Sequence, residues 1–290
     1  IGAVRNTGIE LGLNLGVIRN KNFTWDVNLA FARNWSKITE LPNGDDVSNN
    51  WFIGERLNVL RDYTSAGIIT TDGITMRTKD GDRHYTLQEV YDTFGPGGQG
   101  LKWYEGQMAV NDWNNDGKIN DEDKQIFGCT DPKWTGSLSS TMTYKGFDFS
   151  FMLYTKQGQW SRSYFHEQYM NYGDRGRQKV NFDYYIPAGT PVLDKNTGDV
   201  TYLSEAHIGK YPYPNNTEKT GGGYFSSSSA AVRYHKTSFV KVKNITLGYT
   251  FPKAWLSKIA VKHLRLYVNV INPFCFTDYE GFDPEWASAN

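Results

Sequence analysis

The sequence predicts an all-β, antiparallel fold, and three observations predict it. Apolar and polar residues alternate with a period of two through several stretches of about nine residues, which gives each strand one apolar and one polar face. Aromatics make up 15% of the chain and glycines number 29, a composition that favours strands over helices. Third, the turns within the alternating pairs are short while the stretches between pairs are very long.

The first pair lies near the start. Ile9, Leu11, Leu13, Leu15 and Val17 alternate with Gly8, Glu10, Gly12, Asn14 and Gly16. After a turn at 20–22, Phe23, Trp25, Val27, Leu29 and Phe31 face one way and Thr24, Asp26, Asn28, Ala30 and Ala32 the other. A second pair brackets Lys145-Gly146, a two-residue hairpin turn. Leu138, Met142 and Tyr144 lead in, and Phe147, Phe149, Phe151 and Leu153 lead out. In the third pair Ile245, Leu247, Tyr249 and Phe251 run to Pro252, which ends the strand. Residues 253–259 predict one helical turn, and Leu264, Leu266, Val268 and Val270 form the partner strand.

Alternation of this kind fits a soluble sandwich with one solvated face or a membrane-spanning barrel. Strands of about nine residues suit a tilted bilayer crossing. Short turns on one side with long connections on the other (36–132 and 155–236) is the arrangement of an outer-membrane barrel. The expected register turns Ile9, Leu11, Leu13, Trp25, Leu29, Phe149 and Phe151 to lipid and Glu10, Asp26, Asn28 and Asp148 to the lumen. No run of 18 apolar residues is present, so no helix is long and apolar enough to cross a membrane.

A length of 290 residues fits one large domain or two ordinary ones. Lys and Arg (31) balance Asp and Glu (31), which argues against a nucleic-acid partner, since that needs a basic stripe. Two distant cysteines, Cys129 and Cys275, exclude a disulfide framework and a four-cysteine zinc site. The chain opens mid-pattern at Ile1, without an initiator Met or signal peptide, and reads as a piece of a longer protein.

One local motif carries chemistry. Asp112, Asn114 and Asp116 place oxygen side chains at positions 1, 3 and 5 of a calcium loop. Gly117 supplies the sharp turn, Lys118 a carbonyl at position 7 and Asp123 the acid at position 12. Ile119 is the apolar anchor. The shorter Asp at position 12 predicts weak binding of one structural calcium ion. The competing reading is an acidic turn without metal. The pattern Gly95-Pro-Gly97-Gly-Gln-Gly100 matches a dinucleotide fingerprint only in letters, because no apolar strand precedes it and no helix follows. The five histidines are scattered, and no nucleophile elbow or phosphate loop occurs, so no enzyme activity is expected. Trp160, Tyr164, Tyr169 and Tyr172 form an aromatic group suited to a ligand or a partner, or to packing the loop against itself.

Several stretches together resemble a known family. The run 112–128, then Pro132-Lys133-Trp134-Thr135-Gly136 and Tyr144-Lys145-Gly146-Phe147-Asp148, resembles the C-terminal barrel of SusC/RagA-type TonB-dependent transporters. So do Arg5-Asn6-Thr7-Gly8-Ile9-Glu10, Val242-Lys243-Asn244-Ile245-Thr246-Leu247-Gly248-Tyr249 and Tyr279-Glu280-Gly281-Phe282-Asp283-Pro284-Glu285, in family order. The resemblance implies that residues 1–290 are the C-terminal portion of a 22-stranded transmembrane β-barrel with a plugged lumen and long extracellular loops. It implies a nutrient importer of the Bacteroidetes outer membrane, taking up oligosaccharides or peptides. It also implies a SusD-like surface lipoprotein as lid, and TonB engaged by an N-terminal region, plug and TonB box that this chain lacks along with the final strand. The alternative from a different class is a secreted, calcium-stabilised β-sandwich that binds glycans.

Overall fold

The computed structural model describes residues 2–95, 100–169, 183–213 and 230–286. The chain divides into two compact units. One comprises Ile1–Val59, Gly128–Ser161 and Lys236–Asn290; the other comprises Leu60–Phe127 and Arg162–His235.

The first unit is a six-stranded antiparallel sheet. Its strands are β1 (Ala3–Arg19), β2 (Phe23–Glu40), β3 (Trp134–Tyr144), β4 (Phe147–Gln157), β5 (Phe239–Thr250) and β6 (Arg265–Phe276). Each pairs with its neighbour in chain order, with β1 and β6 at the two ends of the sheet. The turns follow from their sequences. Lys145 (φ 46°) and Gly146 (φ 91°) both adopt positive φ, as a two-residue hairpin requires. Asn20 Oδ1 accepts from the amides of Asn22 (3.0 Å) and Phe23 (2.9 Å), closing the β1–β2 turn. Lys253–Leu256 forms the expected helical turn before β6.

The register aligns the apolar positions of all six strands. Leu13 stands opposite Leu29, Leu29 opposite Leu138, Leu138 opposite Leu153, Leu153 opposite Val242, and Val242 opposite Phe274. The row beside it runs Leu15, Val27, Ser140, Phe151, Ile245, Val270. Because side chains alternate, Asn14, Asn28 and Ser139 occupy the opposite face. Bulges at Val17 in β1 and at Lys243 in β5, the latter opposite Met152-Leu153 of β4 and Asn272-Pro273 of β6, shift the pairing without reversing the faces.

The apolar face is open to its surroundings. Leu13 is 41% exposed, Leu247 54% and Val268 67%. A sandwich would bury this face against a second sheet, so the soluble alternative fails here. Aromatic residues edge the aliphatic band. Phe147 and Tyr249 meet at 4.5 Å at the short-turn end, and Phe31 and Trp134 at 5.8 Å at the other. Eight residue steps separate Phe23 from Phe31, about 27 Å along the strand at ~3.4 Å each, or about 21 Å of height at a tilt near 40°. That is close to the ~25 Å apolar band of barrel walls. β1 and β2 run past the expected 7–17 and 23–32. Alternation lapses there, and Ile38 near the end of β2 is buried where residues 54–55 pair with it.

The second unit shows that the long connections carry secondary structure and a core of their own. It has its own core of Ile69, Met76, Tyr85, Val90, Tyr104 and Ala109, each at most 1% exposed. A hairpin of Ile74–Thr78 and Gly81–Tyr85 leads into the helix Leu87–Phe94. Thr86 caps that helix, its Oγ1 accepting from the Glu89 amide (3.2 Å) while Glu89 accepts from the Thr86 amide (2.8 Å).

Candidate functional site: acidic loop, aromatic insertion and two-faced wall

The acidic loop lies in the second unit, between the strands Met108–Val110 and Gln125–Cys129. Asp112 and Asp123 are both fully buried. Asp112 accepts from the amides of Asp116 (3.2 Å) and Gly117 (2.9 Å) and from the Tyr85 hydroxyl (3.4 Å). Asp123 accepts from the amides of Asn114 (3.3 Å) and Asn120 (2.8 Å). Gly117 at φ 78° makes the sharp turn. Ile119 packs on the core, as an apolar anchor should. Burial pushes the Asp123 carboxyl above the usual carboxylate range against the pull of its amide partners, and the Asp112 charge adds to the push. Asp116 is exposed and accepts from the Lys118 amide at 2.8 Å. Among the described residues, no three carboxylate, imidazole or thiol side chains converge on one point. The loop therefore buries the Asp112 and Asp123 carboxylates and leaves the Asp116 side chain exposed.

The aromatic group divides. Trp160 is half-buried, with the Lys236 ammonium 5.6 Å from its ring centroid. Its ring lies so close over Gly128 that a Cβ there would come within 2.7 Å of Cγ. It packs on its own unit. Tyr164 is 49% exposed, with the Arg162 guanidinium 5.1 Å from its ring. Tyr169 ends the helix Tyr164–Tyr169; its ring, and all of Tyr172, lie outside the described residues.

The histidines are less scattered in space than in sequence. In the second unit the rings of His166 and His235 stack at 3.7 Å. Ser163 Oγ lies 2.6 Å from His166 Nδ1, and the Tyr211 hydroxyl 3.3 Å from Nε2. Short-range spacing could not reveal this group, whose members come from three separated stretches, around residues 163–166, 211 and 235.

In the first unit the polar face carries side-chain pairs. Arg265 donates to Asp148 through Nε (3.0 Å) and Nη2 (2.6 Å), a two-pronged ion pair. Gly248 makes room for it, since a Cβ there would lie 2.6 Å from both partners. Thr246 donates to Asn269 at 3.0 Å, and Thr24 and Thr143 meet at 2.6 Å. Lys241, 3% exposed, bonds Glu285 at 2.8 Å and also Asp283, drawing the segment after β6 back to the sheet.

No family model matches the chain. It is 29% identical over 287 residues to the TonB-dependent receptor SusC of Bacteroides thetaiotaomicron, covering 98% of this chain and 24% of the relative. It is 27% identical over 307 residues to the TonB-dependent receptor P39 of Formosa agariphila, covering 98% of this chain and 28% of that one. Among solved structures, the RagAB peptide transporter superposes with a TM-score of 0.61 at 18% identity, covering 98% of this chain and 27% of the matched chain. The chain thus spans about a quarter of the length of these relatives. Along nearly its whole length it resembles, in sequence and in fold, the SusC/RagA type of TonB-dependent receptor, with an apolar-out, antiparallel wall of a transmembrane β-barrel.

Proposed function

We propose that these residues form the C-terminal part of an outer-membrane importer of the SusC type. The whole protein takes up oligosaccharides or peptides with energy delivered through TonB, and a SusD-like surface lipoprotein lids it. The observation that carries the reading is the pairing of an exposed apolar band with a polar face whose side chains bond between β2 and β3 and among β4, β5 and β6. One face suits acyl chains and the other a water-filled passage. Both long connections, β2 to β3 and β4 to β5, join strand ends opposite the short turns, the connectivity of external loops. Tyr164, Trp160, Tyr169 and Tyr172 are the nominated contacts for lipoprotein or ligand, with Tyr164 the best presented of those described. The chain's own part is passage and contact, without catalysis.

Within this reading the acidic loop holds one structural calcium ion through Asp112, Asn114, Asp116, Asp123 and the Lys118 carbonyl. Two buried carboxylates met only by amides and a phenol favour a cation, which would offset the burial of their charge. Affinity of order 10⁻⁴–10⁻³ M is expected for an extracellular site.

The test uses the full-length protein in cells. Uptake of labelled oligosaccharides and peptides is measured with TonB and the lipoprotein present, then with each removed. Loss of uptake in both deletions is expected. Uptake unchanged by either, or a full-length protein recovered in the aqueous fraction without detergent, overturns the assignment.

A further inference from the structure

The apolar face of the sheet is not a uniform surface. Along the row Leu11, Phe31, Gly136, Thr155, Val240, Phe276, one position has no side chain. The neighbouring row is filled at every strand, by Leu13, Leu29, Leu138, Leu153, Val242 and Phe274. The gap at Gly136 opens a groove of about 280 Å³ that reaches down to the backbone of Ser137. Phe31 and Trp134 wall it on one side, and Leu153 and Val240 on the other. The Trp134 ring leans over the floor, 3.3 Å from where a Gly136 Cβ would sit. Of the hydroxyl-bearing lining residues Ser137, Tyr154 and Thr155, Thr155 sits on the apolar face, and its hydroxyl is already engaged, donating to the Phe239 carbonyl at 2.6 Å.

We propose that this groove seats one acyl chain of a membrane lipid, as a retained site distinct from the lipid shell around the barrel. The proposal rests on the membrane reading above. The groove is continuous with the exposed apolar band, so a bilayer supplies its occupant wherever the band lies in lipid. Its exposed lining is almost wholly apolar, which selects the hydrocarbon tail. The Trp134 indole at its mouth sits in the aromatic rim, where an amphipathic ring meets both tail and headgroup level. A chain lying there regains the dispersion contacts that the missing side chain leaves unmade.

The experiment takes the full-length protein, extracted from outer membranes in mild detergent and washed to remove loose lipid. Native mass spectrometry then counts retained acyl-bearing lipids in the wild type, in G136L, which fills the groove, and in L13F, which enlarges the same face elsewhere. Wild type and L13F are expected to keep a single bound lipid and G136L none. Equal retention in all three, loss in both variants, or no retention by the wild type overturns the groove. Heat-dependent gel mobility checks that each barrel is folded. If G136L does not fold, quenching of Trp134 by brominated acyl chains, read as wild type minus W134F after the wash, decides instead: persistent quenching supports the site and its disappearance refutes it. Recovery of the protein outside the membrane fraction marks failure of the membrane reading, whereas membrane protein without retained lipid marks failure of the groove alone.

Discussion

Replacing Ile9, Leu13 and Leu15 by arginine, one at a time, tests the geometry of the wall most directly. All three lie on the apolar face of β1, at 59%, 41% and 45% exposure, so water accessibility alone ranks Ile9 as slightly the most open and separates the other two little. Depth separates them. The aromatic rims lie at the Phe23 and Phe31 rows, so the row containing Leu15 and Val27 is midway, Leu13 is one row off, and Ile9 lies beyond Phe31. Six steps from Leu15 to Ile9 make about 20 Å along the strand, or about 15 Å of depth at a tilt near 40°. That exceeds the ~12 Å half-height of a barrel's apolar band. Leu15→Arg should therefore cost roughly 2–4 kcal/mol, Leu13→Arg somewhat less, and Ile9→Arg about 0–1 kcal/mol. The native chain supports the shallow end of this scale. Arg33 stands opposite Ile9, with its guanidinium 4.6 Å from the Trp35 ring centroid, so a charge already resides at that level. The assay is reversible denaturant folding of the full-length protein in lipid vesicles, followed by tryptophan fluorescence. Equal costs at the three sites, or a larger cost for Asn14→Arg than for Leu15→Arg, would refute the register and the depth.

Other expectations follow from particular contacts. Gly248→Val drives a Cβ into the Asp148–Arg265 pair and should cost about 1–3 kcal/mol of barrel stability, whereas Gly12→Val, with open space around its Cβ, should cost less than half as much in the same titration. Thr86→Ala removes the cap of the helix Leu87–Phe94 and should cost about 1 kcal/mol, read as faster amide exchange confined to that helix. For the acidic loop the sign of the pH dependence is distinctive. The folded-state pKa of Asp123 is raised by burial, so in a metal chelator the second unit should become more stable as pH falls from neutral through that pKa. Millimolar calcium should reverse the slope, because the bound cation favours the ionised form; a slope unchanged by calcium, or by Asp123→Asn, would remove the metal from the account.

Much of the wall was legible in the sequence, for a physical reason. A strand between lipid and water must alternate strictly, so Ile9 to Val17 and Phe23 to Phe31 reveal both face and register without reference to distant contacts. The Lys145-Gly146 turn is equally local. Past that band the pattern fades, so the outer ends of β1 and β2 carry no readable period. The second unit was missed because its core is assembled from short pieces such as Ile69, Met76 and Tyr104, each too brief to show a period. One signal was available: Thr86-Leu-Gln-Glu89 spells a capping box ahead of Leu87–Phe94. The acidic loop was legible as a motif, but only the fold shows that burial falls on Asp112 and Asp123 and not on Asp116.

The sheet's two outermost strands have a further consequence for handling the protein. β1 and β6 each pair on one side only within these residues. Each therefore presents a row of backbone donors and acceptors along its other side, beside an apolar face. In water, a polypeptide of this extent on its own is a template for strand addition by further copies, and the end product is stacked, fibre-like aggregate in place of a folded monomer. Short edges and lysine gatekeepers, which soluble sheets use against this outcome, are missing from the Leu266–Val270 stretch of β6. Recombinant work on this region calls for a host chain that closes the ring, or for refolding directly into detergent, and a turbid preparation would report unsatisfied edges and not a misfolded insertion.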